Sequence, residues 1–115
     1  MVHNMKNLPV RFFAQQSGNE PVRDWLKDLS AADKKKIGDD IKTAELGWPV
    51  GMPLCKRIGQ GLHEIRTDLD AGRISRVFVC SHKGQMVLLH GIIKKSQKTP
   101  KNDLDIARTR MKGLK

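Results

Sequence analysis

Two different spacings of apolar residues divide the chain into a helical first half and an extended second half. Residues 22–29 and 37–44 carry apolar side chains at the three- and four-residue spacing of one helix face. Pro21 suits the first residue of the first helix, and Ser30 begins a segment that resembles a capping box. Gly47 suits the end of the second helix. The pattern predicts an antiparallel helix hairpin over about residues 21–46.

The second half is rich in Ile, Val, Leu and Phe. These residues fill three runs, at residues 62–69, 73–82 and 85–95, and turn-forming residues separate the runs. We interpret them as a three-stranded meander, and residues 8–13 as a further short strand. A last helix is predicted with Thr99 as its N-cap, Pro100 as its first residue and Gly113 at its end. This order predicts an α+β fold with helices against a small antiparallel sheet.

Positive charge is concentrated in the second half. Residues 1–50 contain eight Lys and Arg against seven acidic residues, whereas residues 51–115 contain 14 against five. The whole chain carries a net charge of +10. A charge that served only solubility would be spread through both halves. We therefore expect the second half to bind a polyanion, which could be nucleic acid, an anionic membrane surface or an acidic protein.

Composition argues against several other classes of protein. Two cysteines, Cys55 and Cys80, are too few for a disulfide scaffold or a complete zinc site. Apart from Glu64, the predicted strands offer no paired carboxylates, so neither a two-metal nuclease nor a cofactor is expected. No apolar run approaches the ~18 residues that span a bilayer, and the N-terminus lacks a signal-peptide pattern. We expect a cytoplasmic protein that does not bind membranes.

Two arginines lie in the middle of predicted strands. Arg66 shares one strand face with Glu64, and Arg76 lies among apolar residues on the next strand. An arginine in such a place is costly unless it has a partner or lines a groove. Arg66 and Arg76 could therefore converge on a phosphate, which their planar guanidinium groups suit. Alternatively, each could belong to a structural ion pair, Arg66 with Glu64 or Asp68.

The end of the last predicted strand adds further candidates. Lys94 and Lys95 begin a basic run that continues through Lys98, and they could either contact nucleic acid or form a solvated strand end. His90 could act as a general acid or base, or could be a satisfied core histidine. Glu64 is a second candidate for proton transfer. RNA brings its own nucleophile, the 2′-hydroxyl, so a ribonuclease built from these residues needs no metal.

Several segments resemble motifs of one family. Residues 62–66 (LHEIR) resemble a Leu-aromatic-Glu-Leu-Arg motif, and residues 73–78 (RISRVF) resemble a strand Arg-x-x-Arg-Val-Tyr/Phe. Residues 88–100 resemble a Leu-Leu-His-Gly-Phe-x-Lys-Lys-x-x-x-Thr-Pro signature, and Ala107-x-x-Arg110 also fits. Together these segments resemble the HigB-like, phage-derived branch of the RelE/ParE toxin superfamily. The resemblance implies a single RelE-like toxin domain over residues 1–115, with a small twisted antiparallel sheet.

The resemblance also implies an activity. RelE-like members are toxins of type II toxin–antitoxin systems and cut mRNA in the ribosomal A site without a metal, as mRNA interferases. It implies a hetero-oligomer with a cognate antitoxin, usually of the helix-turn-helix type, and ribosome-bound mRNA as substrate. Arg66, Arg76 and Lys95 match the family's motif positions and are the implied catalytic residues. We expect His90, which lies beside them, to be catalytic as well, and Lys94, Arg73 and Lys98 to bind RNA.

One departure from the family pattern leaves the chemistry open. Many RelE-like toxins use a Tyr or His near the C-terminus as acid or base, and this chain contains no Tyr. Either His90 takes that role, or catalysis relies on charge stabilisation alone, or the activity of this chain is weak. ParE-like members of the same superfamily inhibit DNA gyrase and need no catalytic set, and a basic RNA-binding module is a third alternative.

Overall fold

A computed structural model describes residues 7–48, 54–95 and 97–115. Within them lie three α-helices, five β-strands and a short 3₁₀ turn at Asp70–Gly72. In chain order the helices and strands are β1 (Val10–Phe12), α1 (Pro21–Lys27), α2 (Ala31–Leu46), β2 (Cys55–Gly59), β3 (Leu62–Asp68), β4 (Ile74–His82), β5 (Gln85–Lys94) and α3 (Lys101–Lys112).

The two N-terminal helices form where the sequence predicts them, and for the predicted reasons. Pro21 occupies the first turn of α1. The hydroxyl of Ser30 accepts a hydrogen bond from the backbone N–H of Asp33 at 3.2 Å and so caps α2. Gly47 follows the last residue of α2. The predicted boundaries of these two helices are thereby confirmed. The combination of helices and strands confirms the predicted α+β class.

The five strands form one mixed sheet in the order β1-β5-β4-β3-β2. The predicted meander is confirmed, because β3, β4 and β5 pair antiparallel in sequence. The expectation of a wholly antiparallel sheet is wrong at one edge, where β1 runs parallel to β5. The edge strand β2 was not predicted. Its residues 56 and 57 are charged and exposed, so it lacks the apolar run of a buried strand.

A β-bulge in β5 exchanges the two faces of that strand. Val79 pairs with Leu88 and Phe78 with His90, so Leu89 is an extra residue without a partner on β4. Simple alternation along β5 predicts that His90 shares a face with Leu88. The bulge instead places His90 on the opposite face, where its ring stacks with Phe78 at 6.0 Å between centroids.

The helices cover both faces of the sheet. Helices α1 and α2 pack together over one apolar cluster on one face of the sheet. Helix α3 packs over a second apolar cluster on the other face. At Gly91 the close approach of α1 requires glycine, because a Cβ there would lie 2.5 Å from a ring carbon of Trp25. None of the helices in the described ranges has the length and apolar character needed to cross a membrane.

The start of α3 differs from the prediction in a way that matters for the site. Pro100, not Thr99, is the N-cap residue, and it makes no side-chain cap. The hydroxyl of Thr99 instead donates a hydrogen bond to Glu64 on β3, at 2.8 Å. The predicted N-cap role of Thr99 is therefore wrong, because its hydroxyl donates its hydrogen bond to a buried carboxylate instead.

Candidate active site

A buried carboxylate joins the two strand arginines on the face of the sheet that α3 covers. Arg66 and Arg76 are direct partners across β3 and β4, and directly paired residues project to the same face. Oε1 of Glu64 lies 3.7 Å from Nε of Arg66 and 3.5 Å from Nε of Arg76. The structure thus brings the two arginines together, and it does so through the ion pairs that the sequence left open as an alternative.

The two arginines differ in their access to solvent. The side chain of Arg76 is 0% exposed, whereas that of Arg66 is 23% exposed. Burial lowers the pKa of Arg76, and the Glu64 carboxylate opposes that effect. Arg76 therefore lies beneath the surface that a ligand could touch. The sequence pattern, in contrast, predicts that both guanidinium groups contact a phosphate. Arg66 is the member of the pair that a ligand can reach.

The exposed end of Arg66 borders a cleft. Its Nη2 donates a hydrogen bond to Oε1 of Gln97, in the connection between β5 and α3, at 3.1 Å. The cleft has a volume of about 710 Å³. Its lining residues are Lys36, Asp39, Asp40, Leu54, Arg66, Thr67, Asp68, Ile74 and Gln97.

Exposed lysines lie around this end of the sheet. Lys94 ends β5, and Lys95 and Lys98 follow it in the connection to α3, all three with exposed side chains. Lys56 on β2 is a further candidate that sequence reasoning missed. It is exposed and pairs directly with Glu64, so it projects to the same face as Arg66. Its position follows only from the pairing of β2, the strand that the sequence pattern did not reveal.

His90 lies on the same face but in a separate group of side chains. Its Nε2 is 2.8 Å from Oδ1 of Asp103 on α3, and its Nδ1 is 3.5 Å from Nη1 of Arg110. A guanidinium group can only donate, so Nδ1 accepts and Nε2 carries the proton. Phe78 stands between His90 and Glu64 in the row of paired residues. The sequence did not reveal Asp103 and Arg110 as partners, because both come from the docking of α3.

Arg73 is not brought to this group. Its guanidinium binds both carboxylate oxygens of Asp33 on α2, at 2.8 and 3.0 Å. The hydrogen bonds that Arg73 donates to Asp33 lower the pKa of the Asp33 carboxyl and raise the pKa of Arg73. Helix α2 covers the face opposite to α3, so Arg73 fastens α2 to the start of β4 and lies apart from Arg66.

A comparison with known protein families identifies the family to which this chain belongs. The model of the phage-derived Gp49-like protein family (DUF891) matches residues 24–112, which is most of the chain. The chain belongs to this family. The Gp49-like family is related to the HigB/RelE toxins. A search of curated proteins finds no relative that matches the chain.

The family match includes every residue of the candidate site in this Gp49-like chain. It also includes the two cysteines, which lie outside the site. Cys55 and Cys80 are buried and free, and burial raises the pKa of each thiol to about 11. Both therefore remain protonated at neutral pH and lack the thiolate that nucleophilic or metal-binding cysteines provide.

Proposed function

We propose that this Gp49-like protein is the toxin of a type II toxin–antitoxin pair and acts as a ribosome-dependent endoribonuclease. One observation carries the proposal. The Arg66 guanidinium is partly exposed and contacts the buried carboxylate of Glu64, and the exposed side chains of Lys56 and Lys94 project from the same face of the sheet. Such preformed cations bind a phosphodiester, and they stabilise a phosphorane more strongly because it carries additional negative charge. The relation to the HigB/RelE toxins supports the same activity.

The reaction that fits these residues is an internal transfer of the phosphoryl group. The 2′-oxygen of the RNA attacks the adjacent phosphorus, a bond from phosphorus to that oxygen forms, and the bond to the 5′-oxygen breaks. The 2′-hydroxyl loses its proton and the departing 5′-oxygen gains one. The products are a 2′,3′-cyclic phosphate and a 5′-hydroxyl. The attacking group belongs to the RNA, so the protein supplies positioning and charge.

Each candidate side chain takes a distinct part in this proposal. Arg66 binds the non-bridging oxygens, while Lys95 and Lys94 offset the charge that develops on them. Lys56 and Lys98 bind neighbouring phosphates. Arg76 acts only indirectly, through its ion pair with Glu64, and does not touch the RNA.

Proton transfer is the part that the geometry supports least. His90 is the candidate carrier, but both of its ring nitrogens face protein partners, Asp103 and Arg110. In that role it would exchange its bond to Asp103 for one to the substrate. Charge stabilisation by Arg66 is therefore the larger contribution in this proposal.

A cognate antitoxin of the helix-turn-helix type is the partner that this proposal implies. In the hetero-oligomer it would cover the accessible end of Arg66 and the exposed lysines near it on β2, at the end of β5 and in the connection to α3, which are Lys56, Lys94, Lys95 and Lys98. An acidic segment laid across these side chains would exclude mRNA by occupying the same charges.

Inhibition of DNA gyrase is the second candidate function. The engagement of both ring nitrogens of His90 favours it, because a non-enzymatic toxin needs a basic surface and no proton carrier. A basic RNA-binding module without cleavage would use the same surface.

Induction of the protein in growing bacteria separates these functions. We expect new RNA 5′ ends inside translated codons within minutes, with 5′-hydroxyl termini, and chromosomal DNA that stays intact. The same strain expressing Arg66→Ala is the control and should show neither the cuts nor growth arrest. Double-strand DNA breaks with uncut mRNA would contradict the nuclease proposal and support the gyrase alternative.

A further inference from the structure

The carboxylate of Glu64 is the point where three parts of the candidate site meet. Its side chain is 2% exposed. Oε1 faces the guanidinium groups of Arg66 on β3 and Arg76 on β4, and Oε2 accepts the hydrogen bond from Thr99 before α3. Both oxygens are therefore engaged inside the protein. This arrangement does not suit a general base, which must reach the hydroxyl that it deprotonates.

Glu64, Arg66 and Arg76 together carry a net positive charge at their solvent-accessible end. One carboxylate lies between two guanidinium groups, so the three side chains together carry a single positive charge. Arg76, the fully buried member, requires the carboxylate because a buried charge without a counter-ion is costly. The uncompensated charge is then presented by Arg66, the exposed member. Glu64 thus neutralises the interior while Arg66 stays available to an anion.

The hydrogen bond from Thr99 extends this control to the connection between β5 and α3. Thr99 fastens the end of that connection to β3. Gln97 of the same connection accepts a hydrogen bond from Nη2 of Arg66. The guanidinium of Arg66 is therefore held on one side by Glu64 and on the other by a segment that Glu64 itself anchors. The exposed lysines at residues 95 and 98 belong to that segment.

We propose that Glu64 is the positioning residue of this site: its buried carboxylate fixes the guanidinium of Arg66 and, through Thr99, the basic segment that carries Gln97 and Lys98. The proposal rests on the proposed ribonuclease function and assigns Glu64 no contact with the RNA. Its consequence is that Glu64 affects cleavage only through Arg66 and that segment.

The test has two readouts, and the first is independent of activity. The Nε–H signal of the Arg66 side chain is followed by ¹⁵N NMR in the free protein. We expect an ordered signal, protected from exchange, in the wild type. Glu64→Gln should lose the signal to solvent exchange, and Thr99→Val should weaken it. The matched controls are Asp33→Asn, which removes a carboxylate from an arginine pair on the opposite face, and Thr43→Val, which removes an exposed hydroxyl of α2 that donates to the backbone carbonyl of Asp39 at 3.0 Å. Both controls should keep the signal.

The second readout is cleavage of mRNA on programmed ribosomes. Glu64→Gln should lower kcat about 100-fold with little change in KM, since misplacing a reacting group by about 1 Å can cost that factor. The double variant Glu64→Gln/Arg66→Ala should lose much less than the product of the two single losses, because most of the effect of Glu64 passes through Arg66. Asp33→Asn and Thr43→Val should cleave like the wild type at temperatures where they are folded.

Each outcome shows whether or not Glu64 acts by positioning Arg66. An ordered Arg66 signal in Glu64→Gln would overturn the proposal, as would losses from Glu64→Gln and Arg66→Ala that multiply in the double variant. If Glu64→Gln does not fold, Glu64→Asp replaces it, because it keeps a charge for Arg76 and withdraws the carboxylate from Arg66 by one methylene. If the wild type cuts no mRNA, the proposed function fails, and the Arg66 signal alone still decides whether Glu64 positions that side chain.

Discussion

Replacing Arg66 by alanine should lower the rate of mRNA cleavage by about 100- to 1,000-fold and abolish growth arrest. The expected factor is the usual cost of losing one group that stabilises negative charge in a transition state. Arg66 is the accessible member of the arginine pair, so its removal takes away the proposed contact with the phosphate. The fold should persist, because Arg76 still pairs with Glu64. Single-turnover cleavage on programmed ribosomes measures the rate, and circular dichroism monitors the fold.

Arg23→Ala is the control for that experiment. Arg23 is an exposed arginine of α1 that pairs with Glu20, and α1 covers the face opposite to α3. Its replacement changes the net charge by the same amount and should leave cleavage unchanged. Equal losses of activity in Arg23→Ala and Arg66→Ala would show that only the overall charge matters. Undiminished cleavage by Arg66→Ala would remove Arg66 from the site.

Replacing Arg76 by alanine should instead lower the free energy of unfolding by about 3–5 kcal/mol. Breaking a buried ion pair by removing one partner usually costs this much, and truncating a large buried side chain also leaves a cavity. Glu64, whose side chain is 2% exposed, would keep Arg66 and Thr99 but lose its fully buried counter-ion. The loss is large against a total stability of about 5–15 kcal/mol for a domain. Urea denaturation followed by circular dichroism measures it.

The double variant Glu64→Gln/Arg76→Met separates the charge effect from loss of packing. It removes both buried charges and keeps similar volumes, so it should recover most of the stability that Arg76→Ala loses. If Arg76→Ala costs less than about 1 kcal/mol, close to the value of an exposed ion pair, the buried pair has no structural role.

Elements with a strong apolar period could be predicted from the sequence, and elements without one could not. Helix α2 and strands β3 to β5 follow from their spacing and from their capping and turn residues. Strand β2 has exposed charged residues and lies at the sheet edge, so neither propensity nor alternation reveals it. The bulge at Leu89 is equally hidden, because β5 is apolar on both faces and carries no alternation that the bulge could interrupt. The parallel direction of β1 depends on the tertiary path that brings β1 beside β5, and the local sequence of β1 does not specify that path.

The candidate site shows the same division. Strand alternation predicts that Glu64 and Arg66 share a face, and the structure adds the register that places Arg76 opposite Arg66. The burial of Arg76 could not be predicted, because it depends on the sheet's pairing and on the segment around Thr99 and α3 that closes over this face. The engagement of His90 with Asp103 depends on the same docking of α3. Sequence spacing identifies the charged residues, whereas the tertiary contacts decide which of them a ligand can touch.

One chemical substitution in the RNA tests the central claim, that the protein promotes attack by the RNA's own 2′-hydroxyl. Purified protein is mixed with ribosomes carrying either an ordinary message or the same message with a single 2′-deoxynucleotide on the 5′ side of the cut. We predict that the ordinary message is cut to a 2′,3′-cyclic phosphate and a 5′-hydroxyl, and that the deoxy message stays intact at that position although it binds equally well. Cleavage of both messages at equal rates would contradict the account.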